Sequence, residues 1–198
     1  MNIFYLDNDP LKCAQSHVDK HAVKMILEYC QLLSTAHRVL DGKEMVELSK
    51  TGRKTKRWKL EDERNDILYS ATHINHPSAV WCRQNKSNYD WLHKLLVELC
   101  AEYTYRYGKV HKCEQIGLVK LLGTLPNNIS DKPFTQPTPA MPDECKVPGD
   151  SIQSYRNYYI VEKQRMLSWK GKINSRTPPP WFKEWTKNVL ESLSYGHA

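Results

Sequence analysis

His17-Val18-Asp19-Lys20-His21-Ala22-Val23-Lys24-Met25-Ile26-Leu27-Glu28-Tyr29-Cys30-Gln31-Leu32-Leu33-Ser34-Thr35-Ala36 carries two helical patterns at once. Val18, Ala22, Ile26, Leu33, Ala36 and Leu40 recur at the spacing of an apolar helix face, joined by Val23, Leu27 and Cys30. His17, His21, Lys24, Glu28 and Thr35 follow at steps of four, three, four and seven, which a 3.6-residue period puts on one face. The apolar pattern predicts a long helix from near Pro10 to about Leu40, ended by the turn chemistry of Asp41-Gly42.

The polar stripe reads in two ways. It is a solvated helix face with an i,i+4 Lys24–Glu28 pair worth about 0.2–0.5 kcal/mol. Or it is the wall of a site, with one carboxylate and several proton carriers. A carboxylate beside a cation stays ionised and can steady an oxocarbenium-like sugar or move protons. Metal binding is a third reading, in which His17 and His21 share a cation with Asp19, His37, His73 or His76. The helical zinc motif needs Glu directly after its first His, and Val18 stands there instead.

Outward from this stretch, Asn2 to Leu6 reads as a short extended segment. Residues 43–66 are strongly charged, with Lys50, Arg53, Lys54, Lys56, Arg57 and Lys59 around Gly52, and read as a basic loop insertion. A second long helix is predicted from Pro77, with Trp81, Leu92, Leu95, Leu96, Leu99 and Tyr103 apolar and Gly108 as its cap. Ile116 to Leu122 reads as a shorter helix. Six of the eleven prolines fall between Pro126 and Pro148, so residues 124–150 read as a Pro-rich loop. Helical patterning returns from Ser151 to Trp169, and again from Trp181 to Leu193 after Pro178-Pro179-Pro180. The expected fold is all-α or mainly α: one compact domain over residues 1–198, with three long helices and some shorter ones.

The composition bounds the function. Of 198 residues, 29 are Lys or Arg and 22 are Asp or Glu, for a net charge of +7; 40% are hydrophobic and 26% charged. These values fit a globular protein and exclude a collagen-like or long disordered chain. The basic excess points to an acidic partner, nucleic acid first. The six cysteines form no C-x-x-C pair, so free thiols are expected rather than a disulfide framework or paired zinc ligands. Met1-Asn2-Ile3-Phe4-Tyr5-Leu6-Asp7 lacks the pattern of a signal peptide, and no run approaches the ~20 apolar residues that span a bilayer. A cytoplasmic location follows (host cytoplasm for a virus protein), with no membrane partner and no obligate protein partner inferred.

Two segments interleave aromatics with cations. They are Tyr103, Tyr105, Arg106, Tyr107 and Lys109, and Tyr155, Arg156, Tyr158, Tyr159, Lys163 and Arg165. Cations neutralise phosphates and aromatic faces stack on bases, although tyrosines at helical spacing also serve packing. His73-Ile74-Asn75-His76-Pro77 precedes the second helix, where histidines serve as caps or touch an anion. Walker, G-x-G-x-x-G and G-x-S-x-G motifs are absent.

The order of features resembles the bacteriophage endonuclease V family of small all-α pyrimidine-dimer DNA glycosylase/lyases, and proteins of large phages related to it. His21 and Glu28 have the spacing of that family's early His and catalytic Glu. Trp91-Leu92, Lys94, Glu98-Leu99, Ala101-Glu102 and Arg106 match its second helix, with Gly108 one residue late. Arg156, Lys163 and Pro179-Pro180-Trp181-Phe182 follow its C-terminal order at wider spacing. The likeness touches about a third of the chain.

The resemblance implies a DNA-repair glycosylase and abasic-site lyase acting on damaged duplex DNA without a cofactor or metal. An amine would attack the sugar C1′, and a carboxylate would assist β-elimination. Glu28, His21, Lys24 and Met1 would be catalytic. His17, Arg83, Arg106, Lys109, Arg156, Lys163, Lys54 and Arg57 would hold nucleic acid. The family uses a processed N-terminal amine, whereas Asn2 is not small and predicts a retained Met1. Lys20 or Lys24 is the alternative nucleophile. Leu27 and Gln31 stand where the family has arginines. Two other functions fit the composition: a non-catalytic nucleic-acid-binding protein, and a His/Asp metal-dependent hydrolase.

Overall fold

The computed structural model describes residues 1–49 and 51–195, with side chains described as far as residue 189. The chain is mainly helical. Two helices exceed twenty residues: α2 (Asp19–Asp41, 23 residues) and α5 (Lys86–Tyr107, 22 residues). The next longest are α9 (Pro180–Tyr195, 16 residues) and α8 (Ser151–Glu162, 12 residues). Short helices fill in: α1 (Pro10–Ser16), α3 (Arg64–Ile67), α4 (Pro77–Gln84), α6 (Lys112–Gln115) and α7 (Leu118–Leu121). Two of the three predicted long helices break near their start yet remain long, whereas the third, predicted from Ser151 to Trp169, ends at Glu162, so the predicted set of three long helices is not reproduced.

The first break falls at His17-Val18. Asp9 caps α1 by accepting from the Leu11 amide, and Pro10 starts it without losing a needed donor. His17 and Val18 then turn extended. The loosened carbonyls of Gln15 and His17 are taken by the guanidinium of Arg106, nearly ninety residues away. The second break falls at Asn85, whose side chain accepts from the Asn88 amide and starts α5 afresh. Gly108 closes α5 in the left-handed conformation at φ 64°, which glycine adopts without steric cost.

Residues 43–66 are not a structureless basic loop. Strands β1 (Lys43–Leu48) and β2 (Lys54–Lys59) pair antiparallel, from Lys43 opposite Lys59 to Leu48 opposite Lys54. Exposure alternates along much of each strand although most of the side chains are polar, and Gly52 at φ 77° makes the turn. Lys50 lies outside the described residues. Arg38 docks the base of this hairpin on α2. Its guanidinium donates to the carbonyls of Trp58, Asn65, Leu68 and Tyr69 and to the Asn65 side chain.

The core lies where α2 packs on α4 and α5, and α1 packs on α5. Through it runs the N-terminal segment, with Ile3, Tyr5 and Leu6 fully buried and Phe4 nearly so. This segment has no regular secondary structure and joins no sheet, so its backbone polar groups need side-chain partners. The Phe4 amide donates to the Tyr29 hydroxyl, the Cys13 thiol donates to the Phe4 carbonyl, and Arg156 donates twice to the Leu6 carbonyl. The cysteines are all free and buried. Within residues 124–150 the described regular structure is one turn of 3-10 helix, Asp143–Cys145, and an isolated bridge between Val147 and Asp150. No helix among the described residues is long and apolar enough to cross a membrane.

Candidate active site

The threaded N-terminus delivers Met1 to the middle of α2. Its α-amino nitrogen lies 3.4 Å from Oε2 of Glu28, while Lys24 Nζ lies 3.1 Å from Oε1. Two amines thus flank one carboxylate. Asn2, which donates to the Ala140 carbonyl at 2.8 Å, anchors the backbone beside them. The Glu28 side chain is 14% exposed, and that opening faces two adjoining depressions. One, of about 540 Å³, is lined by Met1, His21, Lys24, Glu28, Tyr158 and Lys163, among others. The other, of about 580 Å³, is lined by Met1, Glu28, Gln31, Arg57, Tyr69 and His73, among others.

His21 is set by packing rather than by charge. Its ring stacks on Phe4 with centroids 4.1 Å apart, and Nδ1 lies 2.8 Å from the Tyr159 hydroxyl. Burial, helped by the positive charges of His17, Lys163 and Lys24, lowers its pKa to about 3. At neutral pH it is an uncharged imidazole on the wall of the depression, able to pass a proton but not to attract phosphate by charge. Lys163 Nζ sits 4.6 Å above the Tyr158 ring, which holds its cation at the same mouth. On the far side, the loop after Tyr69 is pinned by Arg38 at the Tyr69 carbonyl and by Thr35, whose hydroxyl accepts from the Thr72 amide. His76 caps α4 through the Ser78 amide, and its pKa is lowered by burial first and then by the nearby α-amine.

Several expected site residues lie elsewhere. His17 is fully buried; Nδ1–H donates to the Cys13 carbonyl and Nε2 accepts from the Tyr29 hydroxyl. It is a core residue and cannot reach a phosphate, nor can it share a cation with His21. Arg106 is also fully enclosed. Its donors are spent on Glu102, Asp19 and the carbonyls of Gln15 and His17, so it clamps the α1–α2 break instead of holding DNA. Arg83 is half-buried on α4, and its Nη1 has no hydrogen-bond partner among the described residues. Lys109 is exposed just past α5. Arg156 packs 5.7 Å from the Trp181 ring and lines a separate depression of about 650 Å³. Lys54 is exposed on the hairpin, from which Arg57 reaches the Glu28 depression.

The structure therefore gathers Met1, His21, Lys24, Glu28, Lys163 and Arg57, and leaves His17, Arg83, Arg106, Lys109, Arg156 and Lys54 apart. Phe4, Tyr158, Tyr69 and Arg38 complete the walls or their supports. Of these, only Tyr158 carried a sequence signal, through its place among basic residues. Among the described residues no three His, Cys, Asp or Glu side chains are grouped to hold a metal. The chain matches no protein-family model, no curated protein and no solved structure.

Proposed function

We propose that this protein is a DNA glycosylase and abasic-site lyase in which the Met1 α-amine is the nucleophile and Glu28 its carboxylate partner. The observation that carries the reading is the 3.4 Å approach of that amine to Glu28, in a depression shared with His21 and three lysines, Lys20, Lys24 and Lys163. An α-amine ordinarily titrates at about 7.7–8.0, against about 10.4 for lysine, so it is the better nucleophile near neutrality. It would attack the sugar C1′ and expel the damaged base, or condense with an abasic aldehyde and release water. In the first case the sugar ring then opens, the C1′–O4′ bond breaking as O4′ takes up a proton, and in both cases the resulting iminium acidifies C2′. Glu28 would take the C2′ proton, and the C3′–O bond would break to leave a 3′ unsaturated sugar on the enzyme. Hydrolysis would then free the amine. Neutral His21 would relay protons, while Lys163 and Arg57 would face the phosphates on either side.

Borohydride reduction on duplex DNA carrying an abasic site or a cyclobutane dimer tests this. The expected result is a covalent adduct that maps to the Met1 peptide by mass spectrometry. Glu28→Gln should form adduct but stall before strand cleavage. A complete absence of adduct defeats the mechanism, and DNA binding that leaves the strand intact would then mark a non-catalytic binding protein.

A further inference from the structure

We propose that the hairpin of residues 43–59 is a grip for duplex DNA, a two-stranded ribbon that enters the major groove beside the strand held at Met1 and Glu28. The inference rests on the nucleic-acid part of the reading above, but not on its chemistry. Residues 43–59 hold seven cations and two acids, which is five of the chain's seven net positive charges. Lys56 and Lys59 are matched by Glu44 and Glu47 at 2.7 and 2.9 Å. Lys43, Arg53, Lys54 and Arg57 form no ion pair among the described residues, so their charge is left for an outside anion.

The register divides the ribbon into two faces. Met45, Thr55 and Arg57 are half-buried toward the body, and Arg57 ends in the depression that holds Met1 and Glu28. The other face sets Val46 opposite Lys56 and Leu48 opposite Lys54. Val46 is 60% exposed and Leu48 70% exposed. Cations alone would suit any polyanion. Cations interleaved with bare aliphatic side chains suit a surface with phosphates at its edges and base edges and methyl groups between them. The major groove of B-form DNA, about 12 Å wide, admits a two-stranded ribbon. The major groove of A-form RNA is too narrow and deep for it. Arg57 makes the ribbon continuous with the reaction cleft, so a strand leaving Glu28 would run along it.

The test is fluorescence anisotropy of the full chain with an undamaged DNA duplex and an RNA duplex of the same sequence, over a salt series. R53S/K54S is expected to reduce the slope of log affinity against log salt by about 2, since each lost phosphate contact removes about 0.9. V46S/L48S is expected to weaken DNA binding at every salt concentration without changing that slope. The RNA duplex is expected to bind more weakly than DNA. These four residues are exposed, and unchanged circular-dichroism melting checks that each variant still folds. An unchanged slope in R53S/K54S, unchanged affinity in V46S/L48S, or equal binding of the two duplexes each overturns the groove assignment. A variant that traps normally and binds normally refutes the grip alone. Hairpin-dependent binding with no borohydride adduct refutes the lyase chemistry alone.

Discussion

Acidification should destabilise this protein through its buried histidines. His17, His21 and His37 are 0%, 5% and 1% exposed. Burial is the first cause that lowers their pKa values from 6.5, to about 4 for His17 and His37 and about 3 for His21. The hydrogen bonds fit neutral rings. Nδ1 of His37 accepts from Arg64 at 2.9 Å, while Nε2 lies 2.8 Å from the Tyr89 hydroxyl. Each folded pKa lies below the unfolded value, so the unfolded chain takes up protons first. The stability is whole above pH 6.5 and is lost as the pH falls toward 4. At about 1.36 kcal/mol per pH unit per proton, each histidine gives up roughly 2–3 kcal/mol by about pH 4.5. The three together give up roughly 7 kcal/mol, a large part of a total stability on the order of 5–15 kcal/mol. Urea melts followed by circular dichroism from about pH 7.5 to about pH 4.5 should show this loss, with the steepest part near 4 kcal/mol per pH unit. His17→Gln should lower stability at neutral pH and reduce the steepest slope by about 1.4 kcal/mol per pH unit. Stability that stays level from about pH 6.5 to about pH 5 would refute the reasoning, because three buried neutral imidazoles cannot be indifferent to protons there.

Extending the chain by one residue before Met1 moves the free amine by about 3.8 Å and should abolish borohydride trapping while leaving affinity for undamaged duplex intact; trapping at an unchanged rate would instead point to Lys24. Glu102→Gln should cost about 3–5 kcal/mol in thermal or urea melts, since it strips the carboxylate from the buried Arg106 and from Arg176, 2.6 and 2.9 Å away. Gly171→Ala should destabilise more than Gly108→Ala. Both have positive φ, but the new Cβ would meet the Asn174 carbonyl oxygen at 2.1 Å in the first case, and only the flexible end of Ile173 at 2.4 Å in the second. Paired chemical melts of the two variants check the ranking.

The sequence determined the helical character of this chain, because an apolar period of 3.6 residues can be buried only by helices packed on one another. It also determined the cap at Gly108, the Pro-rich connection, and the placement of Lys24 and Glu28 one turn apart. It could not determine where those helices break. Local propensity runs straight through His17 and Asn85, and the chain stops at His17 because Arg106 takes the freed carbonyls from far along the sequence. Charge alone could not separate phosphate ligands from internal clamps. Arg57 and Arg106 look alike as letters, yet one lines an open depression and the other is sealed among carboxylates and carbonyls. The hairpin was hidden because its alternation is written mostly in charged residues. Above all, the spacing of His21 and Glu28 is local, whereas the arrival of Met1 beside Glu28 is not. That approach depends on a segment threaded through the core and held by Tyr29, Cys13 and Arg156, partners that only the tertiary fold brings to it.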